Sequence, residues 1–262
     1  MLAAPGVPRH TGAVTTLPPP AVEVLGRTVD LPVRVRRAEA FTAMYAVPHA
    51  AAQRLIDRSG LRALPALPGR ALVGLVFVRY VDNDLGPYDE LGVAVLVGRH
   101  DAPLPPTAGP AAVGRALRSG GAGVLIHELP VDGEFTCAAG REIWGFPKQV
   151  GTFDTDLGAD KRTRLVLDDQ LVCEFGVRRG LPLPAPGLGL ALTAYSHLDG
   201  VTRATTWEMD PTGVRSRPGG ATLRLGHHPI ARDLAGLGLP KRALFSTTIA
   251  NLAMTFGPAT AL

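Results

Sequence analysis

The chain has 262 residues, is 46% hydrophobic but only 5% aromatic, and carries 27 Lys+Arg against 23 Asp+Glu, enough apolar material for one large domain or two small ones. The cations are scattered singly among acidic residues, which argues against a nucleic-acid surface, and there is neither a run of 18 apolar residues nor a basic-then-apolar leader, so a soluble cytoplasmic protein with no membrane contact is expected. Cys137 and Cys173 belong to no C-x-x-C pair, which excludes a disulfide scaffold and a cysteine zinc site.

Residues 1–20, rich in Pro and Ala, read as an extended arm preceding a folded domain over 21–262. Residues 22–36 alternate around Gly26 and Pro32 and predict two short strands; residues 40–47 predict another, and Pro48 opens a helix that ends at Gly60. The stretch 71–81 is nearly all apolar and rich in valine, as in a strand buried on both faces. Residues 88–98 alternate: Leu91, Val93, Val95 and Val97 face one way, Tyr88, Glu90, Gly92 and Ala94 the other. Small residues beside a carboxylate on that second face leave room for a cavity. A Pro-rich loop follows at 101–110. Gly120, Gly121 and Gly123 precede a strand and not a helix, so they are no phosphate loop. Further strands are predicted at 149–155, 163–167, 171–177, 188–195, 201–207, 221–225 and 244–256, with a helix at 229–238. Strands at spacings near ten residues with few helices predict a mainly β (α+β) fold, a single antiparallel barrel or sandwich.

The most informative stretch is GREIWGFPKQVGTFD, residues 140–154. Asp132 and Gly133 offer a helix start, Phe135, Ala139 and Ile143 share a face, and Gly145 with Pro147 closes the helix before Val150, Thr152 and Phe153 resume a strand. Lys148 therefore sits at a helix-to-strand junction beside Trp144, Phe146 and Pro147. It is one of only three lysines, with Lys161 and Lys241, in a chain that otherwise uses arginine. Burial disfavours an ammonium, and a neutral amine attacks carbonyls, which a guanidinium does not. Lys148 is thus either a reactive amine or a surface lysine with its head in water. Glu90 is either a pocket acid or a solvated strand carboxylate, and Trp144 either a core residue or a pocket wall.

Other groupings carry less. His227 and His228 with Asp233 have no third ligand fixed by spacing, Asp82, Asn83 and Asp84 lack the glutamate that would complete a calcium loop, and no G-x-S-x-G elbow occurs, so no metal site is expected. Arg141 and Glu142 read as helix-end residues.

The motif GRE-x-x-G-F-P-K, preceded by D-G-E-F, resembles the acetoacetate decarboxylase family. The resemblance runs from about Phe41 to the end of the chain, through the YDE segment that holds Glu90, Asp199-Gly200, and the strand after Leu239-Pro240-Lys241. It implies an antiparallel barrel- or cone-like domain with a few flanking helices, a homo-oligomer, and a lyase acting on a small keto acid without a cofactor. Lys148 would form the Schiff base and Glu90 would be the pocket carboxylate; Trp144 and Phe146, which flank Lys148, are the candidate substrate contacts beside them. Decarboxylation of a 3-oxo acid is the reaction implied first; aldolase-dehydratase chemistry, or a non-catalytic ligand-binding homologue, is the alternative. Three positions depart from the family: Gln149 replaces a second lysine, Ala46 an arginine and Leu75 a glutamate. If Leu75 faced the cavity, Arg79, on the same strand face, would be placed to receive a substrate carboxylate; otherwise it is a rim arginine in water.

Overall fold

The computed structural model describes residues 20–104, 109–183 and 189–262. The arm expected at 1–20 lies outside them except for Pro20, whose carbonyl accepts the Leu31 N–H at 2.8 Å. Leu25 and Gly26, both at positive φ, fold β1 (Ala21–Val24) onto β2 (Arg27–Asp30) as a separate hairpin. Beyond it β3 (Val33–Pro48) is one long strand, joining what the sequence splits between 22–36 and 40–47. Pro48 precedes α1 (His49–Ile56), and Gly60, in the left-handed region, closes the 3-10 turn that follows.

The chain continues through β4 (Arg70–Asn83), β5 (Tyr88–Gly98), α2 (Pro110–Arg118), β6 (Ala122–Glu128), α3 (Glu134–Trp144), β7 (Thr152–Asp156), β8 (Lys161–Leu167) and β9 (Gln170–Val177). After them come β10 (Leu181–Pro182), β11 (Leu190–Leu198), β12 (Val201–Thr212), β13 (Arg215–Pro218), β14 (Ala221–Leu225), α4 (Pro229–Gly236), β15 (Phe245–Ile249) and β16 (Asn251–Ala261). The sequence does not anticipate α2, β10 or β13, and the single strand expected at 244–256 is two, broken at Ala250.

Strands β14, β9, β8 and β7 form one antiparallel sheet. The other ten run β10-β13-β15-β3-β16-β12-β11-β6-β5-β4, with β3 also pairing to β4. The long β3 thus serves three neighbours: its pairing with β4 joins the two ends of the run from β3 to β4, while β15, β13 and β10 branch away, so the ten strands together do not form one closed barrel. One pair, β6 with β11, is parallel where an all-antiparallel sheet was expected. Between those two strands the chain runs through α3 and three strands of the small sheet, a long crossover of the kind parallel pairing requires.

The two faces of the β4–β5 hairpin serve different cores. Leu75, Phe77, Leu91, Val93, Val95 and Val97 pack with Phe41 and Phe175 between the large and small sheets, the Phe41 ring stacking 4.7 Å from Phe77 and 5.2 Å from Phe175. Val78, Tyr80, Tyr88 and Ala94 belong to a second core with Ile143, Trp144, Phe146 and Phe256, beneath α3. Among the described residues no helix is long and apolar enough to cross a membrane.

Candidate active site

Helix α3 has no side-chain cap at its start; Asp132 instead accepts the Asp89 N–H at 2.9 Å and returns its own N–H to the Asp89 carbonyl, fastening the helix start to β5. At the other end Gly145 takes a left-handed φ of 63°, its N–H bonding the Arg141 carbonyl, and the Phe146 N–H reaches back to Gly140 at 3.0 Å. Pro147 then prevents further helix. The chain turns back over its own helix, and the Lys148 carbonyl is held by the Arg141 guanidinium at 3.1 Å. The Lys148 side chain crosses α3 at Gly140, where a Cβ would overlap its Cδ and Cε.

One extended residue ties this loop to β5. Val131 donates to the Gln149 carbonyl at 2.9 Å, accepts from Gly151 at 2.8 Å, and bridges Val150 on one side and Glu90 on the other. The result is a buried ion pair. Lys148 Nζ lies 2.7 Å from Glu90 Oε2, with side chains 4% and 7% exposed. Tyr80 donates its hydroxyl to Glu90 Oε1 at 2.9 Å, its ring stacks 4.2 Å from Tyr88, and the Lys148 ammonium sits 5.0 Å above the centre of the Tyr88 ring. Burial first, and the Glu90 charge second, hold both phenols well above their ordinary pKa, so they stay neutral and protonated.

The cavity that meets this pair is lined by Tyr80, Leu85, Tyr88, Glu90, Leu129, Trp144, Phe146, Lys148, Trp207 and Phe256. Its free volume of about 20 Å³ suits one water-sized molecule.

Lys148 is therefore neither a snorkelling lysine nor an amine among apolar walls alone, because a carboxylate faces it. Glu90 is not solvated. Trp144 is both core and wall, its Nε1 donating to the Gly257 carbonyl at 2.8 Å, and Phe146 lies in the wall beside it. Arg79 is not brought to Lys148. Its guanidinium makes a two-pronged pair with Asp89, at 2.7 and 2.5 Å, on a side chain 37% exposed. The reason is parity: Tyr80 and Val78 take the cavity face of β4, which sends Leu75, Phe77 and Arg79 to the opposite one. Leu75 accordingly lies in the inter-sheet core, and Ala46 packs near Leu64, Leu72 and Leu96, outside the cavity. Gln149 turns away from Lys148 to donate to Glu128 at 3.1 Å.

Sequence reasoning missed Tyr80, Leu85, Leu129, Trp207 and Phe256. A signal existed for Tyr80, which sits directly opposite Tyr88 in the β4–β5 register and so shares its face. The acidic run at 82–84 proves structural, Asp82 and Asp84 holding Arg36 at 2.8 and 2.6 Å. His228 caps α4 through Ile230, while Asp233 meets His127 at 3.3 Å. His127, Glu128 and Asp233 bring possible ligand atoms within 4.8 Å of one another, but the histidine is paired with Asp233 and the glutamate with Gln149. Of the other lysines, Lys161 pairs with Glu39 at 3.1 Å, and Lys241 has its pKa lowered by burial and by the nearby Arg70 charge.

The family model described as acetoacetate decarboxylase matches residues 18–261. Among solved structures, the acetoacetate decarboxylase of Legionella pneumophila is 19% identical, with a TM-score of 0.63 over 100% of this chain and 98% of that one. The enduracididine biosynthesis enzyme MppR, in complex with pyruvate, is 16% identical with a TM-score of 0.58, covering 96% of this chain and 94% of its own. An acetoacetate decarboxylase-like enzyme of Sphingomonas wittichii is 16% identical with a TM-score of 0.56, over 89% and 94% respectively. A search of curated proteins finds no match.

The crossing at Gly140 gives a direct test of the geometry. Gly140→Ala should fold, with an unchanged circular dichroism spectrum, yet be less stable to denaturant by about 1–3 kcal/mol, because the added Cβ overlaps the Lys148 stem in a packed site. Gly236→Ala, where an added Cβ meets nothing within 4 Å, is the control. Equal stability of the two variants would show that the side-chain path over Gly140 is unimportant.

Proposed function

Because the chain belongs to the acetoacetate decarboxylase family, we propose that it is a lyase that decarboxylates a small 3-oxo acid through an imine on Lys148. The observation that carries this is the Lys148–Glu90 pair, 2.7 Å apart and closed off from water by aromatic walls. The pair is neutral as a unit wherever its shared proton resides. Passing that proton from nitrogen to the Glu90 carboxylate frees the amine to add to the substrate keto carbon. Glu90 then returns the proton to the carbinolamine hydroxyl, which leaves as water, and a protonated imine stands beside the carboxylate again. The bond to the substrate carboxyl carbon breaks, its electron pair passes toward the imine nitrogen, and carbon dioxide departs to leave a neutral enamine. A proton added at the enamine carbon and a water added at the imine carbon release the ketone. One proton is consumed overall, and Glu90 is placed to relay it.

A second reading is favoured by one specific likeness. MppR has been solved with the condensation product of pyruvate and imidazole 4-carboxaldehyde, which makes condensation with an aldehyde the alternative for this chain. Two features of this chain support decarboxylation instead. No guanidinium is among the cavity-lining residues, and the one cation there is already matched by Glu90. A substrate carboxylate retained through the whole reaction, as in an aldol condensation of pyruvate, would stay unmatched throughout. In a decarboxylation it is the group that leaves, and its charge and that of the imine cancel as it does so.

Incubation with acetoacetate followed by borohydride should leave one N-isopropyl group per chain, the ketone less water plus two hydrogens, and without borohydride released carbon dioxide should exceed any condensation product formed with an added aldehyde. Lys148→Arg should abolish the adduct, while Lys161→Arg and Lys241→Arg keep it. An adduct of equal yield in Lys148→Arg would remove Lys148 from the mechanism. Glu90→Gln should still be trapped but turn over about 10²-fold more slowly, the usual scale for a positioned acid or base. An unchanged rate would reduce Glu90 to a structural partner of the lysine.

A further inference from the structure

The carboxylate of Glu90 has a different partner on each oxygen. Oε2 faces Lys148 Nζ at 2.7 Å, and Oε1 accepts the Tyr80 hydroxyl at 2.9 Å. The β4–β5 register explains the second contact. Val78 lies directly opposite Glu90, and Tyr80 opposite Tyr88, so Tyr80 is the diagonal neighbour of Glu90, a separation that a long aromatic side chain spans. Stacked 4.2 Å from the Tyr88 ring, the Tyr80 ring cannot swing away from the carboxylate without losing that packing. The two phenol hydroxyls are also hydrogen-bonded to each other. Since the Tyr80 proton is committed to Glu90, the Tyr88 hydroxyl is the donor in that bond, and the order runs from Tyr88 to Tyr80 to Glu90.

Few other charges reach the pair. Among the described residues, Tyr80, Tyr88, Glu90 and Lys148 are the titratable side chains that line the cavity. Helix α3 brings Cys137 within reach of the Lys148 charge, but burial pushes that thiol up and keeps it neutral. Arg141, on the same helix, holds the Lys148 carbonyl. The segment before α3 brings Asp132, whose charge is felt at Tyr88 and whose carboxylate accepts the Asp89 N–H. From β12 and β16 the cavity receives only Trp207 and Phe256, which do not titrate.

The proposed reaction needs Glu90 unprotonated, because it takes the proton that frees the Lys148 amine. Once the pair has taken up a second proton, the lysine stays an ammonium and cannot add to a carbonyl. A hydrogen bond given to a carboxylate favours its charged form. Resting on the Schiff-base reading above, we propose that Tyr80 is a positioning residue for Glu90: its hydroxyl fixes the carboxylate with Oε2 toward Lys148 and opposes uptake of a second proton, and so sets the lowest pH at which the enzyme works. Tyr88 acts at one remove, by polarising the Tyr80 hydroxyl.

The test compares the parent chain with Tyr80→Phe, which keeps a ring against Tyr88 and deletes the donor. The quantity measured across pH is kcat/KM for release of carbon dioxide from acetoacetate, which reports the free enzyme and whose acid side belongs to the pair as a whole. With the hydroxyl gone the carboxylate binds a proton more readily. The pH at which kcat/KM falls to half on the acid side should therefore rise by at least about one unit, the scale of one hydrogen bond to a charged group. Tyr88→Phe should shift it in the same direction by less. Leu85→Ala, which loosens the cavity wall without removing a polar group, should leave that pH where it is in the parent, whatever it does to the rate. A half-point unmoved in both phenylalanine variants, or moved down, would overturn the proposal, since lost packing alone does not change the proton affinity of the pair. Should Tyr80→Phe not fold, the half-point of Tyr88→Phe decides alone. Failure of the underlying reading looks different: the parent itself would give no borohydride adduct with acetoacetate.

Discussion

The structure around the cavity depends on one contact, the buried pairing of Lys148 with Glu90. Two charges removed from water are stable together and expensive apart, and losing one partner of such a pair costs about 3–5 kcal/mol. The neighbouring features follow from keeping them together. Val131 stitches the strand of one to the loop of the other, Gly140 opens a path for the lysine stem across α3, and Arg141 anchors the loop carbonyl. Tyr80 fills the second oxygen of Glu90, so that the carboxylate has a partner on each side. The contact that holds the loop in place is also the one that moves a proton in the proposed reaction, which links the stability of the site to its chemistry.

The division of labour between the two cores separates the packing of the fold from the cavity. The inter-sheet core, with its stacked Phe41, Phe77 and Phe175, carries the packing of the fold. The second core, beneath α3, contains the cavity and the donors and acceptors that line it. Each strand of the β4–β5 hairpin contributes alternate residues to both, so a one-residue shift of register would exchange the two sets.

Much of this was legible in the sequence, and what was not has physical reasons. The lysine at a helix-to-strand junction, the closing Gly145-Pro147 and the face of β5 that carries Glu90 could all be read from local rules, because each depends on residues close in the chain. The face of β4 could not. That strand is buried on both sides, so hydrophobicity does not alternate along it, and the pattern leaves open whether Leu75 and Arg79 face the cavity; the structure gives that face to Val78 and Tyr80. Trp207 and Phe256 reach the site through the β12–β16 pairing and its bulge, contacts between segments far apart in sequence that no local pattern encodes. The parallel pairing of β6 with β11 was hidden for the same reason, since regularly spaced strands suggest hairpins. The helix α2 was obscured by the proline and glycine that flank it.

The central claim is that Lys148, held against Glu90, is the amine that bonds to substrate. The most direct measurement is peptide mapping of the chain after acetoacetate and borohydride treatment, because a reduced adduct marks the lysine that carried the imine. Lys241 is the informative competitor, since its surroundings loosen its proton although it does not line the cavity. The expected result is a single modified peptide containing Lys148, with Lys161 and Lys241 unmodified. Modification confined to Lys241, or spread evenly over the three lysines, would contradict it.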